Sequence, residues 1–337
     1  MLTSVTLDYE LYFGKKAGTV EHCLIEPTNA LLDVARRRAS RLVFFVDAGF
    51  ILRLEEQSRT VQQVARQFDA VRRQLTRVVS EGHDIQLHIH PHWEDSHWNG
   101  SHWQMDTRRY RLHTFSPGDI ARIVIQYRDA LIRACGSNEV CAYRAGGLAM
   151  QPFDKLAAAL GAAGIVMDSS VVPGMHISDP VSGCDFRSAP TMGVWRFSTD
   201  PNIPDPRGGF LEIPISSTQA PVLTKLSSAV SKRFGPSRHA PFGDGYAVWA
   251  NSPGHSWARL RRMFDHERIA VTLDGYRASL LERAYHEHAN QGHETFTVMG
   301  HPKALTPFSL DCLDGFLDRC APRTVTFPQL RKHFQAS

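Results

Sequence analysis

No stretch of this chain approaches the roughly 18 consecutive apolar residues that a membrane-crossing helix requires, so no membrane span is expected. Cysteine is sparse and scattered. Cys23, Cys135, Cys141, Cys184, Cys312 and Cys320 form no Cys-x-x-Cys pair, and in a chain this long they do not read as a disulfide framework. Charge of one sign is also lacking: 38 Lys+Arg against 34 Asp+Glu gives +4, too small and too evenly spread to call for nucleic acid or an anionic membrane surface. The one basic run, Arg36-Arg37-Arg38, falls at the end of an expected helix, where it complements the dipole. Behind Met1 there is neither a basic n-region nor an apolar h-region, so the expected compartment is the cytoplasm. Internal repeats and low-complexity tails are absent as well.

What is present is a globular composition. With 337 residues, 42% of them hydrophobic, the chain can bury a large core, and one catalytic domain over 1–337 is expected. The spacing predicts strands alternating with helices. Leu2 to Leu7 reads as a strand, Pro27 to Ser40 as a helix, and Arg41 to Val46 as a strand covered on both faces. Thr60 and Gln63 read as a capping box for a helix that Gly82 stops. Ser116-Pro117-Gly118-Asp119 opens another helix with a cap and a first-turn proline. Helices over Pro152–Ala163, Ser256–His266, Tyr276–Asn290 and Leu310–Arg319 follow the same logic, with strands at Val140–Tyr143, Ile165–Met167, Ile269–Leu273 and Thr295–Met299. This alternation argues for a mainly parallel sheet. The Pro- and Gly-rich region near 171–242 breaks the rhythm and reads as an insertion covering a site.

Strand after strand ends in a residue with chemistry: Asp8 and Glu10, Asp47, His88 to His92, Arg144, Asp168, Asp274 and His301. A parallel sheet curled into a barrel gathers its strand ends at one rim. The densest signal is Leu87-His88-Ile89-His90-Pro91-His92-Trp93. Alternate residues of a strand share a face, and three histidines there suit a divalent ion. His88 and His92 are the pair expected to meet on it, a kink at Pro91 bringing them round, with His90 donating to a carboxylate. Asp47 and Asp274 read as loop or cap acids. Trp93, Trp98 and Trp103 form a candidate sugar-stacking wall, or else the small core of their own loop.

These motifs resemble the polysaccharide deacetylases of the NodB-homology superfamily (carbohydrate esterase family four), metal-dependent amide and ester hydrolases on a distorted (β/α)7-type barrel. Thr6-Leu7-Asp8-Tyr9-Glu10 looks like the family's first motif, although Tyr9 separates acids that are usually adjacent. The resemblance implies Asp8 as catalytic base and Glu10 as metal ligand, with the exchange of these roles open. His88 and His92 look like the two histidine ligands. Tyr143-Arg144-Ala145-Gly146-Gly147 is similar to the loop whose Arg orients the base and whose other residues, here Tyr143 and Gly146, wall the substrate groove. Asp168 sits where an acid holds that Arg, unless the two are a structural ion pair, and His301 matches the general acid, unless it only caps its strand. One divalent ion is implied, Zn²⁺ above other first-row metals. The expected reaction removes an N-acetyl or N-formyl group from an amino sugar or related precursor of a surface polysaccharide. The alternatives are an amidohydrolase or PHP-type metal hydrolase, which also carries a His-x-His pair, and a non-catalytic carbohydrate-binding barrel.

Overall fold

The computed structural model describes residues 1–136, 139–179, 183–219, 235–246 and 268–335. Strands β1 (Leu2–Tyr9), β2 (Leu42–Asp47), β3 (Asp84–Ile89), β4 (Ala142–Ala145) and β5 (Met167–Asp168) pair in parallel in that order. β6 (Phe210–Glu212) continues the sheet in parallel beside β5, and the edge strand Trp195–Phe197 pairs antiparallel with β6. On the other side, β7 (Thr295–Val298) pairs in parallel with β1. The sheet curls far enough for one segment to touch both of its sides. Leu211 N donates to Val166 O, Ile213 N to Asp168 O, and three residues on Ser216 N donates to Thr297 O of β7. This is the distorted (β/α)7-type barrel expected from the sequence, with an antiparallel strand pair, His176–Ile177 with Cys184–Asp185, inside the 171–242 region.

The helices that join these strands bury one apolar stripe each. They are α1 (Glu26–Arg37), α2 (Ala48–Ser58), α3 (Gln62–Ser80), α4 (Pro117–Cys135), α5 (Asp154–Ala162), α6 (Leu281–Asn290) and α7 (Pro307–Arg319). Helix α4 shows the sequence logic whole: Ser116 Oγ accepts from Asp119 N, Pro117 starts the helix, and Gly136 ends it at φ +74°. Ile120, Ile123, Val124, Tyr127 and Leu131 form its buried face. One local expectation fails and one helix is not foreseen. The Thr60 box is not made, because α3 starts after Val61 without a side-chain cap. Helix α2 is not signalled by any loop, since Asp47 is both the last strand residue and the cap that accepts from Phe50 N. The C-terminal Val325-Thr326-Phe327 segment leads into a further helix, Phe327–Gln335, and the helix expected over Ser256–His266 lies outside the described residues.

Strand parity divides the interior in two. Val43, Phe45, Ala142, Met167, Leu211 and Ile213 pack inside the curl, closed below by Val325, Phe327 and Leu330, while the larger core lies between sheet and helices. All six cysteines are free, and no described helix is long and apolar enough to cross a membrane.

Candidate metal centre and catalytic groups

Ser4, Thr6 and Asp8 alternate along β1 toward the inside of the barrel, and Glu10 continues the row just past the strand. From β3, His88 and His90 do the same. His88 Nε2 lies 3.0 Å and His90 Nε2 2.6 Å from Glu10 Oε2, and the two imidazole nitrogens are 3.0 Å apart. One carboxylate oxygen and two ring nitrogens thus face a common point, and all three residues are buried.

The histidine pair differs from the expected one. The backbone stays extended through His90 (φ −109°, ψ 95°), and only then does Pro91 start a 3-10 turn, Pro91–Glu94, that swings His92 off the row. His92 instead stacks on Tyr110, with centroids 5.9 Å apart and planes at 4°, and neither of its ring nitrogens has a hydrogen-bond partner. The kink falls at Pro91 as expected, but it turns His92 away from Glu10 and His88, and it is His90 Nε2 that lies beside them.

The donor set fits a divalent ion. His88 Nδ1 lies 2.9 Å from the Arg144 carbonyl, which can only accept, so the proton sits on Nδ1 and Nε2 presents its lone pair to the cluster. Burial, with help from His88 and Lys303, lowers the His90 pKa to about 4 and keeps that ring neutral. For Glu10, burial opposes the charge, but Lys303, His90 and the two imidazole hydrogen bonds outweigh it and hold the carboxyl well below the usual range. Burial likewise works against a charged His88, yet Asp8 and Glu10 prevail and raise its pKa. Two ring nitrogens and one carboxylate oxygen are a donor set that suits a divalent cation.

Asp8 lies beside this triad with its two oxygens in different surroundings. Arg144 Nη1 donates to Oδ1 at 2.6 Å, while Oδ2 faces His301 Nε2 at 3.7 Å and His88 Nε2 at 4.0 Å. Arg144 is fully buried over the Phe45 ring, and its other donors go to Thr6 Oγ1, Ser169 O and Ser169 Oγ. The acid expected to hold it, Asp168, does not do so directly. Met167 packs inside the curl and Ser169 reaches Arg144, so Asp168, between them, points to the other side of the sheet. There Ser170 N and Oγ donate to it and it faces Glu212, its partner in register. Burial first, then Asp168, raises the Glu212 carboxyl well above its ordinary range, so it stays protonated against Asp168.

His301 has a partner that sequence reading set aside as a cap or loop acid. Asp274 Oδ2 lies 2.8 Å from His301 Nδ1, and Asp274 Oδ1 accepts from His301 N at 2.9 Å. Burial alone would lower the His301 pKa, but Asp274, Asp8 and Glu10 lift it to about 9. His301 Nε2, 3.6 Å from Glu10 Oε1, is turned to the triad, and its side chain is 22% exposed where the triad is closed. Asp47 caps α2 as expected and also accepts from Trp93 Nε1 at 2.6 Å.

The expected sugar wall is mostly core. Trp93 is fully buried, Trp103 nearly so against Phe50 and Trp93, and Trp98, half-buried, packs on Trp103. Tyr143 shares the parity of Asp168 and faces the helices. Gly146 is buried beneath His90, where a Cβ would lie 2.4 Å from Nδ1, so it leaves room for that ring.

No family model matches this sequence, and no curated protein matches it. Solved structures do. The chain is similar to a "putative polysaccharide deacetylase from Mycobacterium smegmatis" at TM-score 0.53 and 13% identity, over 99% of this chain and 90% of that one. It also matches a CE4 family pseudoenzyme from Bacillus anthracis (TM-score 0.41, 10% identity, 98% and 64% covered) and the Bc1960 peptidoglycan N-acetylglucosamine deacetylase (TM-score 0.41, 11% identity, 97% and 86% covered). The protein therefore shares its overall fold with the Mycobacterium smegmatis structure.

Proposed function

We propose that the protein is a metal-dependent deacylase, a hydrolase of amide C–N bonds that removes an N-acetyl or N-formyl group from an amino sugar or related N-acylated precursor. The observation that carries this reading is the joint placement of Glu10, His88 and His90 around one point, with Asp8 Oδ2 and His301 Nε2 at its edge. The chemistry a divalent ion supplies when bound there is Lewis acidity, which polarises the amide carbonyl and lowers the pKa of water from near 16 toward about 7. Zn²⁺ suits the nitrogen-rich set best.

The chain's own groups divide the proton work. Asp8 takes the proton of the attacking water on Oδ2, because Oδ1 is held by Arg144 and the base cannot swing away. Ser169 and Thr6 fix Arg144 in turn. His301, with a pKa near 9, enters the reaction charged at neutral pH and gives its Nε2 proton to the departing amine. Asp274 stabilises the charged ring and sets its orientation. Amide and water become carboxylate and amine. The cytoplasm and a nucleotide- or lipid-linked glycan precursor of a surface polysaccharide complete the proposal, with 1–337 acting as one catalytic domain.

The test is amine release from a panel of N-acetyl and N-formyl amino sugars, with and without chelator. His88→Ala and His90→Ala should lose both bound metal and turnover, whereas Asp8→Asn should keep the metal and lose about two to four orders of magnitude in rate. Full turnover in Asp8→Asn, or in stripped protein, would defeat the assignment.

A further inference from the structure

The mechanism above makes no use of Lys303, which stands in the short turn Pro302–Ala304 just after His301. Its ammonium is buried, the residue being 7% exposed, and Nζ donates to Glu10 Oε1 at 2.8 Å and to the Leu11 carbonyl at 2.6 Å. The rings of Tyr12 and Phe13 flank it, with centroids 4.9 and 4.5 Å away. The backbone is held too, because the Lys303 carbonyl accepts from Tyr12 Oη and from Gly243 N, both at 3.0 Å. Gly243 lies so close that a Cβ there would stand 2.6 Å from that carbonyl. Phe13 in turn packs on His90, with centroids 4.1 Å apart.

Lysine is among the residues least often buried, and one placed against a candidate metal ligand opposes the ion by plain Coulomb repulsion. Its position gives that cost a purpose. Glu10 is divided: Oε1 belongs to Lys303, and Oε2 alone faces the two imidazoles. The carboxylate is fixed in place before any ion arrives, and only one of its oxygens is offered.

Resting on the metal-site reading above, we propose that Lys303 is a positioning residue acting as a resident cation of the site: it restricts Glu10 to one-oxygen coordination and sets the divalent-ion affinity low. The ion is then held loosely enough to exchange, in a pocket that already carries a fixed positive charge.

The experiment is titration of chelator-stripped, full-length protein with Zn²⁺ and Co²⁺ against a chromophoric competitor. Lys303→Met, close in length and uncharged, should bind both ions at least ten-fold more tightly than the unmodified protein. Lys303→Arg, which keeps the charge, should stay within about three-fold of it, and circular dichroism melts establish that each variant is folded. Unchanged or weaker binding in folded Lys303→Met overturns the role of Lys303 while leaving the metal site intact. Unmodified protein that binds ions no better than His88→Ala would instead remove the metal site itself, and both proposals with it.

Discussion

At the scale of single residues, each carboxylate oxygen or ring nitrogen of the candidate site has its own surroundings. Asp8 has one oxygen pinned by Arg144 and one free, Glu10 one on Lys303 and one on the imidazoles, and His301 one nitrogen on Asp274 and one turned to the triad. Asp274→Asn tests this division. The amide can still occupy the place beside Nδ1 but no longer supplies the charge that holds a proton on the ring. Turnover should fall about a hundred-fold with metal binding unchanged, measured by steady-state amine release and ion titration; an unchanged rate would show that His301 does not need its acid. Sequence order alone exposed Asp8, Glu10, His88, Arg144 and His301, because each ends a recognisable strand. It placed Asp274 in the same row without its role, and it did not expose Lys303. An acid after a strand and a lysine after a proline look like ordinary surface residues, and only the folded contacts show Asp274 paired with His301 and Lys303 buried against Glu10.

At the scale of elements, most of what was misread was a matter of parity. A strand of only two residues, Met167–Asp168, carries no periodicity from which to decide which way Asp168 points. The His-x-His-x-His row could be read as a face, but not where the 3-10 turn at Pro91 would break it. Helix α2 was invisible for a related reason, since strand and helix meet at Asp47 with no loop between them. The ends of β3 and β4 must also approach closely, and Gly146 sets that spacing against His90. In Gly146→Ala the new methyl would push on the ring at Nδ1, so overpacking should cost roughly 1–3 kcal/mol in stability and tilt His90 away from Glu10. Urea unfolding reads the first effect and metal titration the second. A variant with unmoved metal affinity would show that His90 is not a ligand.

For the molecule as a whole, the bottom of the barrel is closed by the C-terminal segment, and Asp84 is the clasp. Its Oδ2 accepts from Phe327 N at 2.9 Å and its Oδ1 from Gln86 Nε2 at 2.8 Å. Burial pushes its pKa up to about 7 despite those two hydrogen bonds. An acid raised in this way keeps a proton that the unfolded chain has already shed, so its contribution is fully present below about pH 4 and is lost as pH rises toward 7. The neighbouring His83, lowered to about 4 by burial, runs the opposite way, so the total curve hides both. The difference between Asp84→Asn and unmodified protein isolates the acid: it should shift in favour of the variant by on the order of a few kcal/mol between pH 4.5 and 7.5 in urea unfolding. A difference that stays flat with pH would mean that Asp84 is ionised in the fold.

The pairing of Glu10 with Lys303 joins residues 293 positions apart. During synthesis the histidines and the first carboxylate leave the ribosome long before the lysine that guards them. On the role proposed for Lys303, the nascent chain would for that interval present Glu10, His88 and His90 without their countercharge, and the arrival of Lys303 would loosen any ion captured early.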